Sequence, residues 1–182
     1  MCWWENTLNK WNGVHLLEEQ DWSLAPLVNF HIDASLWGGG ITFGNFYTVF
    51  RWDNNEEAFH NIQVLEMYVL CVAVQTFKNL WSRNRYIIFT DSQANIAAMA
   101  KGACKNVLVH KMVQWLYTQQ AIHSFMIRLN YINTKENTIA DLLSRGQVTN
   151  VIQQNSNLSF VAPSFPKELN FPPLAVNVFG GI

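Results

Sequence analysis

Four acidic residues stand where a carboxylate is unusual, and their side chains are the best candidates for chemistry in this chain. Asp33 and Asp91 each end an apolar run. Glu66 lies within the apolar sequence Ile-Gln-Val-Leu-Glu-Met-Tyr-Val-Leu, and Asp141 follows Thr-Ile-Ala. Carboxylates are rarely buried unless they are paired or bound to a metal. If the fold brings the four together, we expect a divalent-metal site, because metal charge lets hard oxygen ligands crowd, and hence a metal-dependent nuclease.

Each carboxylate also has a simpler interpretation when it is taken alone. Asp33 and Asp91 could be helix caps or turn formers, and Asp91 before Ser-Gln-Ala is a good cap by itself. Asp141 could be a solvated residue on an amphipathic helix. Glu66 is harder to dismiss because its neighbours on the helix are apolar. The joint pattern favours the metal site.

Length, composition and charge predict one domain with a sizeable core and a weak intrinsic affinity for nucleic acid. The chain has 182 residues, of which 49% are hydrophobic and 14% charged, and its formal net charge is −1. Free-standing nucleic-acid binders are usually more basic, because counterion release drives phosphate binding. We therefore expect any affinity for nucleic acid to depend on metal ions or on a neighbouring domain.

Cysteine usage and hydropathy predict a protein of a reducing compartment, the cytosol or the nucleus, without membrane association. Cys2, Cys71 and Cys104 form neither a zinc pattern nor a disulfide framework. The longest apolar run, residues 67–74, is far too short to span a membrane. The first residues lack the basic region and apolar core of a signal peptide.

The spacing of apolar residues predicts an α/β (α+β) fold. Short apolar runs indicate strands, and longer runs with helical spacing indicate helices. The predicted strands cover residues 27–33, 41–43, 46–52, 85–90 and 125–132, and the predicted helices cover 62–81, 94–100, 107–123 and 137–144. This order predicts a mixed sheet with helices on its faces.

Glycine-rich sequence marks two interruptions between the first three strands. Residues 38–40 are consecutive glycines, which break the strand pattern and predict a hairpin or a close approach of the backbone to nucleic acid. They lack the spacing and the following helix of a phosphate-binding loop. Gly44-Asn45 predicts a hairpin turn between the second and third strands.

Two terminal segments differ in composition from the central domain, which we assign to residues 27–146. Residues 1–26 hold half of the eight tryptophans, and we expect this head to cover the core or a partner. Residues 147–182 hold four of the five prolines and only two charged residues, which predicts an extended or partly disordered apolar extension.

Four sequence blocks, in order along the chain, resemble the ribonuclease H domain of reverse transcriptases. They are His-Ile-Asp-Ala-Ser-Leu-Trp-Gly-Gly-Gly, Val-Leu-Glu-Met, Ile-Ile-Phe-Thr-Asp-Ser-Gln-Ala-Asn and Glu-Asn-Thr-Ile-Ala-Asp-Leu-Leu-Ser-Arg. The chain looks most similar to the domains of long-terminal-repeat and tyrosine-recombinase (DIRS-type) retrotransposons. Trp3-Trp4 and Trp11-Asn12-Gly13 resemble the connector between polymerase and ribonuclease H in such elements. The resemblance implies a fragment of a polyprotein or a freed descendant of one.

This resemblance implies a ribonuclease-H-like fold with a five-stranded mixed sheet, and hydrolysis of the RNA strand of an RNA–DNA hybrid. It also implies two Mg²⁺ ions, for which Mn²⁺ may substitute, and a reverse transcriptase polymerase domain or subunit as partner. By motif position, Asp33 would bridge both metals and Asp141 would hold the metal that activates the attacking water. Glu66 and Asp91 would hold the metal on the leaving-group side.

Further residues are candidates for contacts with the substrate. Those that we predict are Ser92, Gln93, Asn95, Lys101, Lys105 and Arg145. The first three follow Asp91 and could reach the minor groove of a hybrid, where 2′-hydroxyls are displayed. The lysines, with Lys111, form a loose basic cluster, and Arg145 could contact phosphate. A capped helical turn, a solvated face and a helix C-terminal cation are the simpler interpretations.

One auxiliary position departs from the family pattern. Many members have a histidine ten residues before the final aspartate, where it helps product leave, and this chain has Tyr131 there. Some long-terminal-repeat retroelements resemble this chain in having tyrosine. The change removes no metal ligand, but it predicts slower turnover.

Two other functions remain open at the level of sequence. The low positive charge, the aromatic head and the apolar extension are also compatible with a catalytically weak scaffold module that assembles with a reverse transcriptase or another nucleoprotein. A transposase, integrase or junction resolvase of the same broad fold is a third possibility. Those enzymes usually carry three acidic residues at other spacings, so the Glu-Asn-x-x-Ala-Asp sequence favours ribonuclease H.

Overall fold

The structure is a computed structural model that describes residues 28–52, 61–81, 84–169 and 175–177, together with positions 5, 8, 9, 22 and 25. The predicted Trp-rich head, 1–26, lies outside the described residues except at those five positions. The described chain forms one mixed sheet with helices on both faces, which confirms the predicted α/β class.

Seven strands build the sheet, in the order β5-β4-β1-β2-β3-β6, and β7 also pairs with β3. They are β1 (Phe30–Ala34), β2 (Gly38–Phe43), β3 (Phe46–Trp52), β4 (Arg85–Thr90), β5 (Met126–Tyr131), β6 (Ser159–Phe160) and β7 (Ala175–Asn177). The first three strands are antiparallel neighbours, whereas β1, β4 and β5 run parallel to one another. All five predicted strands are present, but the predicted count of five is too low because β6 and β7 extend the sheet.

Within the continuous described ranges, from residue 28 onward, five α-helices flank the sheet. They are α1 (Ile62–Phe77), α2 (Gln93–Lys101), α3 (Val107–His123), α4 (Thr138–Ser144) and α5 (Val148–Gln154), with short 3-10 helices at Lys78–Leu80 and Lys167–Leu169. The Asn61 side chain caps α1 by accepting from the backbone N–H of Gln63 at 3.0 Å. This cap fixes the start of the helix that carries Glu66.

Alternation along β1 separates an apolar face of the sheet from a polar one. Phe30 and Ile32 belong to the main core, which α1 and α3 cover. His31 and Asp33 point to the opposite face, where they contact Asn137 and Ser144. Because side chains alternate across a strand, a carboxylate can lie next to a large core without entering it.

Glycine in β2 lets α4 lie directly on the sheet. A Cβ atom at Gly40 would lie 2.3 Å from the carbonyl oxygen of Ala140 and 2.7 Å from the backbone nitrogen of Ser144. Glycines 38–40 are therefore part of a strand, and the prediction that they break it is wrong. Gly40 allows a close approach to α4, whereas Gly38 allows a close approach to the backbone of Phe50 on β3. The predicted turn at Gly44-Asn45 is confirmed, with φ of +59° at Gly44.

The C-terminal extension packs against the domain as far as residue 169, so the prediction of an extended or partly disordered segment is wrong there. The backbone N–H of Val161 donates to the carbonyl of Tyr47 at 2.9 Å, and the Thr48 hydroxyl donates to the Val161 carbonyl at 2.9 Å. The Phe165 ring packs edge-on against Phe50. These contacts supply backbone partners to β3, which would otherwise be an exposed edge strand.

The boundaries of several other elements agree closely with the sequence. Strand 85–90 and helix 107–123 have the predicted limits, while the helix predicted over 62–81 ends at Phe77 and continues as a 3-10 turn. Within the described ranges, none of the helices combines the length and the apolar character required to cross a membrane.

Candidate active site

Asp33 is the most deeply buried of the four predicted carboxylates. It lies on β1 opposite Gly40 of β2, and it is 6% exposed. The Ser144 hydroxyl of α4 lies 2.6 Å from Asp33 Oδ2 and donates a hydrogen bond to it. The approach of α4 over Gly40 is what brings this donor to the strand.

The other three carboxylates lie within electrostatic reach of Asp33. Burial is the main cause that raises the pKa of Asp33 from 3.8 to about 7. The hydrogen bond from Ser144 lowers this pKa, and the charges of Asp91, Asp141 and Glu66 each raise it. The structure therefore brings the four predicted residues into one electrostatic neighbourhood, in which an added cation would be favoured.

Asp141 of α4 lies four residues before Arg145, the residue that caps the end of this helix, and the two side chains form an ion pair. Nε of Arg145 lies 2.9 Å from Asp141 Oδ1, and Nη2 lies 2.8 Å from the same oxygen. The Ser144 hydroxyl is also 2.9 Å from the backbone carbonyl of Asp141. Two consecutive residues at the end of α4 thus contact two of the four carboxylates: Ser144 contacts Asp33, and Arg145 contacts Asp141.

Glu66 lies on α1, and Asp91 lies at the end of β4, the parallel neighbour of β1. Glu66 is half-buried in the second turn of α1, and burial first, then the charge of Asp91, raises its pKa, while a hydrogen bond with Ser92 lowers it. Asp91 directly follows β4, and the Thr134 hydroxyl donates to its Oδ2 at 2.6 Å. Each carboxylate of the cluster therefore has a hydrogen-bond donor from the protein.

The donor types suit a hard divalent cation, but the side-chain geometry differs from that of a metal site. Among the residues that the structure describes, no three Asp, Glu, His or Cys side chains are arranged so that they could hold a metal ion. The oxygen ligands and the mutual repulsion at Asp33 fit Mg²⁺ or Mn²⁺.

Two of the predicted substrate contacts are buried. Ser92 is 7% exposed, and Asn95 is 2% exposed. The Asn95 amide donates to the Gln63 carbonyl at 3.1 Å, so this side chain joins α2 to α1 instead of lining the surface. Gln93 is exposed beside them. The prediction of substrate contact therefore fits Gln93 best among the three.

The remaining predicted residues lie on the surface. Lys101, Lys105 and Arg145 are exposed, as is Lys111. Tyr131 is 53% exposed and pairs with Thr90 across β4 and β5, one residue before Asp91. The auxiliary position therefore lies next to the strand end that carries a predicted ligand.

Sequence reasoning missed the residues that hold the carboxylates in place. Ser144 and Thr134 donate to Asp33 and Asp91, across 111 and 43 residues of sequence. Asn137 donates from its amide nitrogen to the Ile32 carbonyl at 3.0 Å, and its amide oxygen lies 3.3 Å from Nδ1 of His31. The position of Ser144 three residues after Asp141 was the one available signal, since both then lie on one face of a helix.

A polar cavity of about 270 Å³ lies behind the carboxylates, at the start of α4. Its lining includes His31, Thr42, Glu136, Asn137, Asn155 and Asn157, and none of the four acidic residues. The carboxylate cluster therefore lies outside this cavity.

Compared with known proteins, the chain matches no family model. No curated protein matches it either.

Proposed function

We propose that this chain is a metal-dependent endonuclease that hydrolyses the RNA strand of RNA–DNA hybrids, as part of a retroelement reverse transcriptase or derived from one. The observation that carries the proposal is that three other carboxylates, from different parts of the fold, lie within electrostatic reach of the buried Asp33. Their charges act on Asp33, whose pKa is raised to about 7, chiefly by burial. Structural carboxylates are seldom gathered in this way, because like charges repel.

The fold supports the same proposal. Within the order β3-β2-β1-β4-β5, two antiparallel pairings are followed by two parallel ones, which agrees with the mixed sheet that the resemblance to ribonuclease H implies. Asp33 lies on the central strand, Asp91 directly follows its parallel neighbour, and the helices α1 and α4 bring Glu66 and Asp141. The extension beyond residue 146 is then an addition that covers the edge of β3.

Two Mg²⁺ ions would be held by Asp33, Glu66, Asp91 and Asp141, and would supply a deprotonated water and neutralisation of the leaving oxygen. The chain's own part is to hold these carboxylates together. Ser144 orients Asp33, and Thr134 orients Asp91. The exposed Gln93 and Tyr131 lie beside Asp91, where they would meet the substrate.

A cleavage assay tests this proposal. Labelled RNA–DNA hybrid is incubated with the full chain and Mg²⁺ or Mn²⁺, in parallel with Asp91→Asn. We expect the variant to lose about a hundredfold or more of the rate, because the substitution removes a charged ligand. The matched control is Glu168→Gln, since Glu168 is an exposed acidic residue of the C-terminal extension and lies outside the four sequence blocks.

Three outcomes distinguish the alternatives. The nuclease proposal would be refuted if the unmodified chain and Asp91→Asn cleave at equal rates, or if neither protein cleaves the hybrid. Cleavage of duplex or branched DNA in preference to hybrid would favour a transposase, integrase or resolvase instead. The control variant is expected to cleave at the rate of the unmodified chain.

The second candidate is a scaffold module with the same fold and little catalysis. It is favoured by the arrangement of the described carboxylates, which hydrogen-bond to protein donors and do not form a ready metal cage. Absence of Mn²⁺ binding in calorimetry, together with co-purification of a polymerase subunit, would support it.

A further inference from the structure

The ion pair on α4 is a contact between a cation of the protein and one of the proposed metal ligands. Both Nε and Nη2 of Arg145 lie within 3 Å of Asp141 Oδ1. The Arg145 side chain is 55% exposed and that of Asp141 is 24% exposed, so water reaches the guanidinium more easily than the carboxylate. The cation therefore lies on the solvent side of the carboxylate.

The charge of the buried Asp33 carboxylate also acts on the Arg145 guanidinium. The pKa of Arg145 is raised first by its hydrogen bond with Asp141, then by the charge of Asp141, and less by the charge of Asp33. Ser144, the preceding residue, donates to Asp33. Arg145 thus supplies positive charge to the carboxylates that would share one metal in the proposed function.

A divalent cation at this place would compete with Arg145. An oxygen that accepts two hydrogen bonds from a guanidinium has fewer lone pairs for a metal, and two cations a few Å apart repel. An exposed pair between residues four apart on a helix is weak, so a divalent cation can displace it. After displacement, the backbone of Arg145 stays beside the cluster, and the guanidinium N–H groups can donate to another acceptor.

We propose that Arg145 is a positioning residue that acts as an internal counter-ion of Asp141, holding its carboxylate until a divalent cation displaces the guanidinium. The released guanidinium then turns to a phosphate of the hybrid. This inference rests on the proposed function, because it assumes that Asp141 binds the metal. It assigns Arg145 two opposite effects, competition with the cation and attraction of the substrate.

The test is calorimetric titration of the full chain with Mn²⁺ alone, at low ionic strength. Arg145→Gln removes the competing charge, and we expect roughly threefold to tenfold tighter binding of Mn²⁺. Arg145→Lys keeps the charge and is expected to bind within about twofold of the unmodified chain. The matched control is Arg128→Gln, because Arg128 is an exposed arginine of β5 whose loss changes net charge equally.

A spectroscopic readout follows the ion pair itself. With ¹⁵N-labelled protein, the Nε–H signal that disappears in Arg145→Gln belongs to Arg145. We expect this signal to move toward that of a solvated arginine as Mg²⁺ is added. Thermal unfolding of each variant checks that the domain remains folded.

The outcomes separate this inference from the proposed function. Equal or weaker Mn²⁺ binding by Arg145→Gln than by Arg128→Gln overturns the inference, whereas hybrid cleavage by the unmodified chain would still support the nuclease. Tighter binding without any cleavage of hybrid supports the counter-ion and refutes the nuclease. Absence of Mn²⁺ binding in all four proteins refutes the metal site and the counter-ion together.

Discussion

The two faces of the central sheet are built from opposite kinds of residue. On the α1 face, Trp81 is fully buried and contacts the rings of Phe30, Phe43, Tyr86 and Phe125. The α4 face, as far as it is described, has a smaller apolar cluster, and its buried polar side chains form hydrogen bonds, from Ser144 to the Asp33 carboxylate and from Asn137 to the Ile32 carbonyl. The difference indicates that the α1 face supplies most of the stability. This stability offsets the unfavourable free energy of burying carboxylates on the α4 face.

The largest expected effect is loss of an aromatic side chain from the α1 face. Trp81→Ala should lower the free energy of unfolding by about 3–5 kcal/mol, because it removes a fully buried ring and leaves a cavity. Urea denaturation measures this loss. Leu80→Ala is the control, since Leu80 is 63% exposed and its truncation should cost under about 0.5 kcal/mol. Similar losses in both would show that stability is not concentrated on this face.

The second expected effect is a pH dependence of folding stability, which comes from the carboxylates buried on the α4 face. Burial first raises the pKa of Asp33 from 3.8 to about 7, so the folded state holds a proton that the unfolded state has lost. The contribution of Asp33 to metal-free stability should therefore be full below pH 4 and be lost as the pH rises to about 7, by roughly 4 kcal/mol at most. Glu66, whose pKa is also raised mainly by burial, acts in the same direction.

Urea denaturation at several pH values in the presence of a chelator measures this dependence. Asp33→Asn removes the largest titrating group of the cluster and should flatten the fall, leaving the smaller part from Glu66. A fall of the same size in Asp33→Asn would show that the buried aspartate is not its source.

The smallest of the three effects tests the contact between the sheet and α4. Gly40→Ala places a methyl group 2.3 Å from the Ala140 carbonyl oxygen, so the helix must move. We expect a loss of about 1–3 kcal/mol of stability and a larger proportional loss of hybrid cleavage, because Asp141 and Ser144 move with the helix. A loss of stability without any loss of cleavage would show that the position of α4 is not critical.

Gly102→Ala is the matched control for that substitution. Gly102 ends α2 with φ of +66°, so alanine there is strained and should cost about 1 kcal/mol of stability. Because Gly102 is remote from α4, the rate of hybrid cleavage should stay that of the unmodified chain.

Patterns of local sequence were sufficient for most elements of the central domain and for the four acidic candidates. Helix 107–123 has Asn106 as its cap and helical spacing throughout, so sequence and structure agree. Glycines 38–40 were misread because their place in a strand follows from close contacts with β3 and, at Gly40, with α4, and no local pattern encodes those contacts. The extension was misread because strand β6 exists only by pairing with β3, which is more than a hundred residues away in sequence.

The sequence by itself determined the α/β class and the order of the elements in the central domain, and it singled out the four carboxylates as candidates, because these depend on neighbouring residues and their spacing. Only the tertiary structure decided which donors hold them: Ser144 for Asp33, Thr134 for Asp91 and Arg145 for Asp141. Two of these contacts join residues far apart in the chain, and the third is one of several options open to an exposed arginine. Hydrogen bonds of this kind depend on distances of a few tenths of an ångström, which packing fixes and residue spacing does not.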